Sequence, residues 1–177
     1  NNNNNNNENK FPAFRVEHAQ HISPSDIPRF GQLGVIASMQ MSHLAEDGCW
    51  ASSAIGEKRM KTSWPMKSLL DSGAMVVLGS DWFVTEPSPL YGIHSAVTRQ
   101  TIDGKNSNGL IPSECVTVNQ AVKAYTIDPA RATKEEHQRG SIEIGKLADL
   151  VVLDQDIFSI PSNEILQTNI LTTIVGG

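Results

Sequence analysis

Apolar and polar positions alternate along this chain in short blocks. Residues 14–17, 35–39 and 75–78 are brief apolar runs of strand length, bounded by turn-forming residues. After the first run, Ser23-Pro24-Ser25-Asp26 predicts a helix start. Ser23 suits the N-cap, Pro24 the first helical position, and Asp26 the positive end of the helix dipole. The helix is expected to run to about Leu33 and stop at Gly34. The second run leads into a polar stretch, residues 42–63, read as a loop, and residues 65–70 read as another helix closed by Ser72-Gly73. The order strand, helix, strand, loop, helix, strand predicts parallel strands joined by crossovers.

Beyond the third strand the pattern predicts a loop over residues 82–90, a helix around 92–99, and a Gly/Asn/Ser loop at 103–109. Thr117-Val118-Asn119-Gln120 fits a capping box. It opens an amphipathic helix to about Tyr125, with Val118, Ala121, Val122 and Tyr125 on one face. A helix or turn follows at 129–136. Residues 140–146 are turn-rich, 149–153 read as a buried-type strand and 170–175 as another. The expected organisation is an Asn-rich segment at 1–10, disordered for want of apolar residues; a partial (β/α) barrel at 11–139; and a small partial β unit at 140–177.

A chain of 177 residues can build one core. It is short of the roughly 250 residues that a closed (β/α)8 barrel usually takes. The net charge of -5 argues against nucleic acid or an anionic membrane surface as the main partner. Apolar runs such as 75–78 and 150–153 are too short to cross a bilayer, and the N-terminus lacks the apolar region of a secretory signal. Cys49 and Cys115 share no metal or redox spacing, so a reducing, by default cytoplasmic, compartment is expected.

Two strand ends carry chemistry. The first run ends in Glu17-His18-Ala19-Gln20 and the third in Gly79-Ser80-Asp81-Trp82. In a parallel α/β barrel the C-terminal strand ends converge on the active site. Imidazole and carboxylate there are suitable ligands for a divalent cation, which activates water near neutral pH; a nearby Asp can carry the proton. The other reading of such residues is a hydrogen-bonded loop position, and the strand-end argument leaves both open.

Arg15–Gln20 (RVEHAQ), Val35–His43 (VIASMQMSH), Gly79–Val84 (GSDWFV), Leu90–Arg99 (LYGIHSAVTR) and Gly140–Leu153 (GSIEIGKLADLVVL) together resemble the YtcJ-like branch, family 3, of the amidohydrolase superfamily. The resemblance covers residues 11–177 with the pieces in family order. It implies an α/β fold: barrel strands 6 to 8 of a TIM-barrel hydrolase plus part of a composite β domain. It implies cleavage of non-peptide, amide-like carbon–nitrogen bonds in a small molecule by metal-activated water, with zinc as the default metal. By the family pattern His18 is a metal ligand on strand 6, and Asp81 is both metal ligand and proton shuttle. His43, in the Met-Gln-x-x-His element after strand 7, is a substrate or transition-state contact. Its alternative is a solvent-facing loop histidine.

Other positions are expected to be structural. Glu17 is expected to pair with Arg15 or to orient His18, and Ser80 and Trp82 to flank Asp81. His21 and His137 read as surface residues, His94 as a helix residue, and the two cysteines as inert thiols. The chain departs from the family at Phe83, where Pro is common, and at Met41-Ser42, where Pro-Thr is common. The family's His-x-His and His-Ala-x-Gly-Asp metal motifs do not occur in these residues. The alternative expectation is therefore a truncated, non-catalytic remnant that needs further barrel strands or a partner.

Overall fold

The computed structural model describes residues 14–177, so the expectation of disorder at 1–10 lies outside the described residues. The first apolar runs form three strands, β1 (Arg15–Glu17), β2 (Ile36–Met39) and β3 (Val76–Leu78). They pair in parallel in the order β1-β2-β3. The registers align Glu17, Ser38 and Val77 in one row and Val16, Ala37 and Val76 in the next. Because side chains alternate along a strand, these rows belong to opposite faces.

Each strand feeds helices. The helix after β1, α1 (Ile27–Leu33), starts later than expected. Asp26 occupies its N-cap position without a side-chain cap bond, and Ser23 instead accepts the amides of Asp26 and Ile27 through its carbonyl. The chain turns once before the helix begins, because Pro28, not Pro24, provides the helix-compatible φ in the first turn. Gly34 ends the helix at φ 65°, the left-handed conformation that favours glycine.

The expected loop at 42–63 is instead helical. It contains α2 (Met41–Asp47), α3 (Ala51–Ile55) and α4 (Glu57–Met60). Its polarity conceals a buried side, since Met41, Leu44, Ala45, Ala51 and Met60 all enter the core. Then come α5 (Met66–Asp71), α6 (Pro89–Thr98), α7 (Val118–Tyr125) and α8 (Ile127–Ala132). The Thr117–Gln120 capping box is present in full, as its spacing predicted. Helix α8 overlaps the helix or turn expected at 129–136, starting two residues earlier after its N-cap Thr126 and ending at Ala132.

Ala37, Met39, Val76 and Leu78 pack with Met66, Leu69, Ile93, Ala96, Ala121 and Ala124 in one apolar core. Helices thus cover the Ala37/Met39 face of the sheet. Arg99, just past α6, is fully buried. Its guanidinium donates to the carbonyls of Leu110, Trp64 and Ser63 at 2.5, 2.8 and 3.2 Å, tying the loop after α6 to the segment between α4 and α5. Burial pushes its pKa down to about 10, with Glu114 opposing, so it remains charged at neutral pH.

The C-terminal strands β4 (Leu150–Leu153) and β5 (Ile170–Ile174) form a separate antiparallel pair. The expectation that residues 149–153 are buried does not hold. Val151 and Val152 are exposed, because among the described residues no second layer packs on both sides of this two-stranded ribbon. No helix among the described residues is long and apolar enough to cross a membrane.

Candidate metal centre

Three side chains converge where the strands end. His18 follows β1 and Asp81 stands three residues beyond β3. His43 lies in the first turn of α2, which begins directly after β2 and Gln40. One ligand atom from each of the three falls within 4.8 Å of the others. The Asp81 Oδ2 atom is 4.0 Å from His18 Nε2 and 3.9 Å from His43 Nε2. The two imidazoles stack with centroids 5.8 Å apart and planes 21° from parallel.

Local backbone conformation aims two of these groups. His18 has φ 66° and Asp81 φ 58°, both in the left-handed region. For a non-glycine residue that costs on the order of 1–3 kcal/mol and persists only where the surroundings enforce it. Left-handed residues end the extended run and swing the side chain off the strand's alternating pattern. His43 needs no such device, because the helix presents it. It is buried, which removes the alternative of a solvent-facing loop histidine, and its Nε2 has no hydrogen-bond partner.

A buried polar relay steadies the Asp81 loop. The Thr85 hydroxyl donates to the Ser80 carbonyl at 2.7 Å and lies 2.8 Å from the Ser42 hydroxyl at the start of α2. The loop carrying Asp81 is therefore tied to the helix carrying His43. Neither Ser42 nor Thr85 stands out in the sequence, since their pairing spans 43 residues and follows no period.

The remaining candidates occupy ordinary places. Glu17 pairs with Arg15 as expected. A hydrogen bond from Ser38, followed by Arg15 and the neighbouring His18, holds its carboxyl below the usual range. His21 Nδ1 sits 2.8 Å from the Ser63 hydroxyl, and its ring meets Trp64 edge-on. His94 is buried in α6, while His137 is exposed. Cys49 and Cys115 are unbonded thiols. Trp82 and Phe83, beside Asp81, are largely exposed.

The donor set suits a divalent cation. Two ligands about 2.0–2.1 Å from a zinc ion stand roughly 3.3 Å apart at a tetrahedral angle and at most about 4.2 Å across it. The 3.9 and 4.0 Å separations exceed the tetrahedral spacing by about 0.6 Å, so the side chains would close by that much around an ion. An unpartnered buried imidazole nitrogen beside a carboxylate fits the same requirement.

Comparison with known proteins agrees with this chemistry. The chain is 41% identical over 165 residues to the Arabidopsis thaliana protein LONG AFTER FAR-RED 3, covering 93% of the chain and 28% of that protein. It is 33% identical over 163 residues to YtcJ of Bacillus subtilis, covering 92% of the chain and 31% of YtcJ. It is 40% identical over 114 residues to the N-substituted formamide deformylase of Arthrobacter pascens, covering 64% of the chain and 20% of that enzyme. Among solved structures it resembles an uncharacterized metal-dependent hydrolase from Pyrococcus furiosus, with a TM-score of 0.69 and 28% identity over 82% of the chain and 29% of the hydrolase. The chain thus spans less than a third of the length of each of these proteins. The amidohydrolase family model matches residues 1–177, and on that match and the likeness to YtcJ the chain belongs to the amidohydrolase family, in its family 3 branch.

Proposed function

We propose that this chain carries part of the catalytic face of a metal-dependent hydrolase of non-peptide, amide-like carbon–nitrogen bonds. The observation that carries the reading is the meeting of His18, His43 and Asp81 at three adjacent strand ends. In this reading β1, β2 and β3 are strands 6, 7 and 8 of a TIM barrel. Residues 11–139 belong to that barrel, and residues 140–177 to a small β domain. The A. pascens relative, named for removal of a formyl group from N-substituted formamides, supports an amide-like small molecule as substrate.

His18 Nε2 and the Asp81 carboxylate would hold the cation, with zinc the default for a nitrogen and oxygen donor set. A divalent cation there supplies acidification of water and polarisation of a carbonyl. Asp81 takes up the proton released when water attacks and returns it to the leaving nitrogen. His43, held rigidly by α2, turns its buried Nε2 toward the substrate carbonyl oxygen and donates to it in the Nε2–H tautomer. The two left-handed strand ends keep these groups in place before substrate arrives.

Zinc retention and turnover of an N-substituted formamide test the assignment on the whole polypeptide. After dialysis His18→Ala is expected to keep less than about 0.1 equivalent of the zinc that the parent retains. His43→Ala is expected to keep its zinc within twofold while kcat/KM falls about 100-fold or more. Equal zinc in the parent and His18→Ala would sink the metal reading. Loss of zinc in His43→Ala would move His43 into the ligand set.

A further inference from the structure

Gln40 sits at the junction between β2 and α2, and none of the roles above uses it. It is 8% exposed, and its Oε1 atom has no hydrogen-bond partner. A buried amide oxygen left unpartnered is unfavourable, so a folded chain retains one mainly where it does something else. Gln40 also occupies the N-cap position of α2 without capping it. The side chain is therefore neither paired with the core nor spent on the helix end.

Its backbone places it beside the metal centre. Gln40 is extended, with φ -126° and ψ 102°, so the alternation of β2 continues through it. It lies on the face of Ser38, opposite the helix-covered row of Ala37 and Met39. The Gly79 amide still donates to the Met39 carbonyl at 3.1 Å, which keeps the β2–β3 pairing intact up to that level. Gln40 thus stands level with the segment leading into Asp81, three residues before His43. The alternation puts its buried, unpartnered acceptor on the face of the sheet that the helices leave uncovered, one position past the last paired residue of β2.

We infer that Gln40 is a substrate-positioning residue whose Oε1 accepts the N–H of the scissile amide. A carboxamide oxygen suits this task because it is a neutral acceptor that takes one N–H without adding charge beside the cation. The inference rests on the reading of the site as an amide-cleaving metal centre and adds a requirement for a substrate bearing N–H. The alignment fixes the leaving nitrogen while His43 holds the carbonyl oxygen, which presents the carbonyl carbon to water.

Two small probes separate this role from a structural one. N-methylformamide carries the N–H, and N,N-dimethylformamide lacks it. With the zinc-loaded whole polypeptide, ligand-detected NMR is expected to show about fivefold tighter binding of N-methylformamide. Gln40→Met, which keeps the volume and removes the amide, is expected to erase that difference and leave zinc retention unchanged. It is also expected to raise Tm by about 2–4 °C, because a buried unsatisfied acceptor is removed. Equal binding of both probes by the parent, no measurable binding of either, or an undiminished preference in Gln40→Met overturns the inference. So does a Tm several degrees lower, which would reveal a structural bond to Gln40. If zinc is not retained by the parent, the metal reading fails and the inference that rests on it falls with it. If zinc is retained and the preference does not follow Gln40, only the inference fails.

Discussion

The site depends on side chains that hold no ligand themselves. Thr85 is the clearest case, since its hydroxyl bonds the Ser80 carbonyl and meets Ser42. Thr85→Val keeps the shape and strips both partners of a buried hydrogen bond. It is expected to cost about 1–3 kcal/mol of stability. It should also weaken zinc binding about tenfold, because the Asp81 loop loses its tie to α2. Urea unfolding and zinc titration measure the two effects, and a stable variant with unchanged zinc affinity would show the relay to be incidental. His94 supplies a second test at this scale. Burial in α6 pushes its pKa down from 6.5. The unfolded chain therefore takes up a proton near pH 6.5 that the folded chain resists. Its contribution is intact above pH 6.5 and is lost as pH falls toward the depressed folded value. His21 is shifted the same way, by its own burial. Tm measured between pH 7.5 and about 5 is expected to fall with pH, and to fall less in His94→Gln. Equal slopes for parent and variant would remove His94 from the account.

At the level of elements, α6 and α7 approach closely. A Cβ built on Gly92 would lie 1.9 Å from the Tyr125 hydroxyl oxygen and 2.8 Å from the ring carbon that bears it. Tyr125 also reaches the Gly79 carbonyl at 3.5 Å, at the end of β3. Gly92→Ala is expected to destabilise by about 1–3 kcal/mol, and Tyr125→Phe in the same chain to recover part of that loss. Thermal unfolding of the two single variants and the double variant checks this, and strictly additive losses would contradict it. Elements with local signals were legible in the sequence. The capping box at Thr117 and the left-handed Gly34 announce helix ends through chemistry confined to a few residues. The short helices α2 to α4 were not legible, because each is too brief for a 3.6-residue period to emerge from a polar background. The candidate site divides in the same way. His18 and Asp81 were visible as strand-end residues in a family motif. The burial of His43, the Ser42–Thr85 relay and the unpartnered Gln40 arise from packing between distant segments, which no single stretch encodes.

The whole molecule sets apolar and backbone groups against water in two places. Among the described residues, the parallel sheet has open edges at β1 and β3, and every residue of β1 is exposed. The β4–β5 ribbon adds exposed Val151, Val152, Ile170 and Leu171, with Ile142, Ile144 and Val175 nearby. Open edges offer unpaired N–H and C=O groups to any other strand, and an isolated two-stranded ribbon is marginal in water. In the barrel reading both surfaces are covered by further strands of the same fold. These 177 residues produced alone, 19.3 kDa, are therefore expected to self-associate in sedimentation velocity runs, with the fraction associated rising with concentration. Hydrogen exchange should be slowest in β2, which is paired on both sides and fully buried, and fast in β1 and β5. A net charge of -5 is too small to suppress association at physiological ionic strength, where charges more than about 8 Å apart are largely screened. A monodisperse 19.3 kDa species with uniform protection across β1 to β5 would mean that the edges are satisfied within this chain. Zinc held by that species would then be held by His18 and Asp81, with His43 beside them. If the chain instead associates and loses zinc, the same three residues supply one side of a site whose remaining ligands stand on strands beyond β1 and β3.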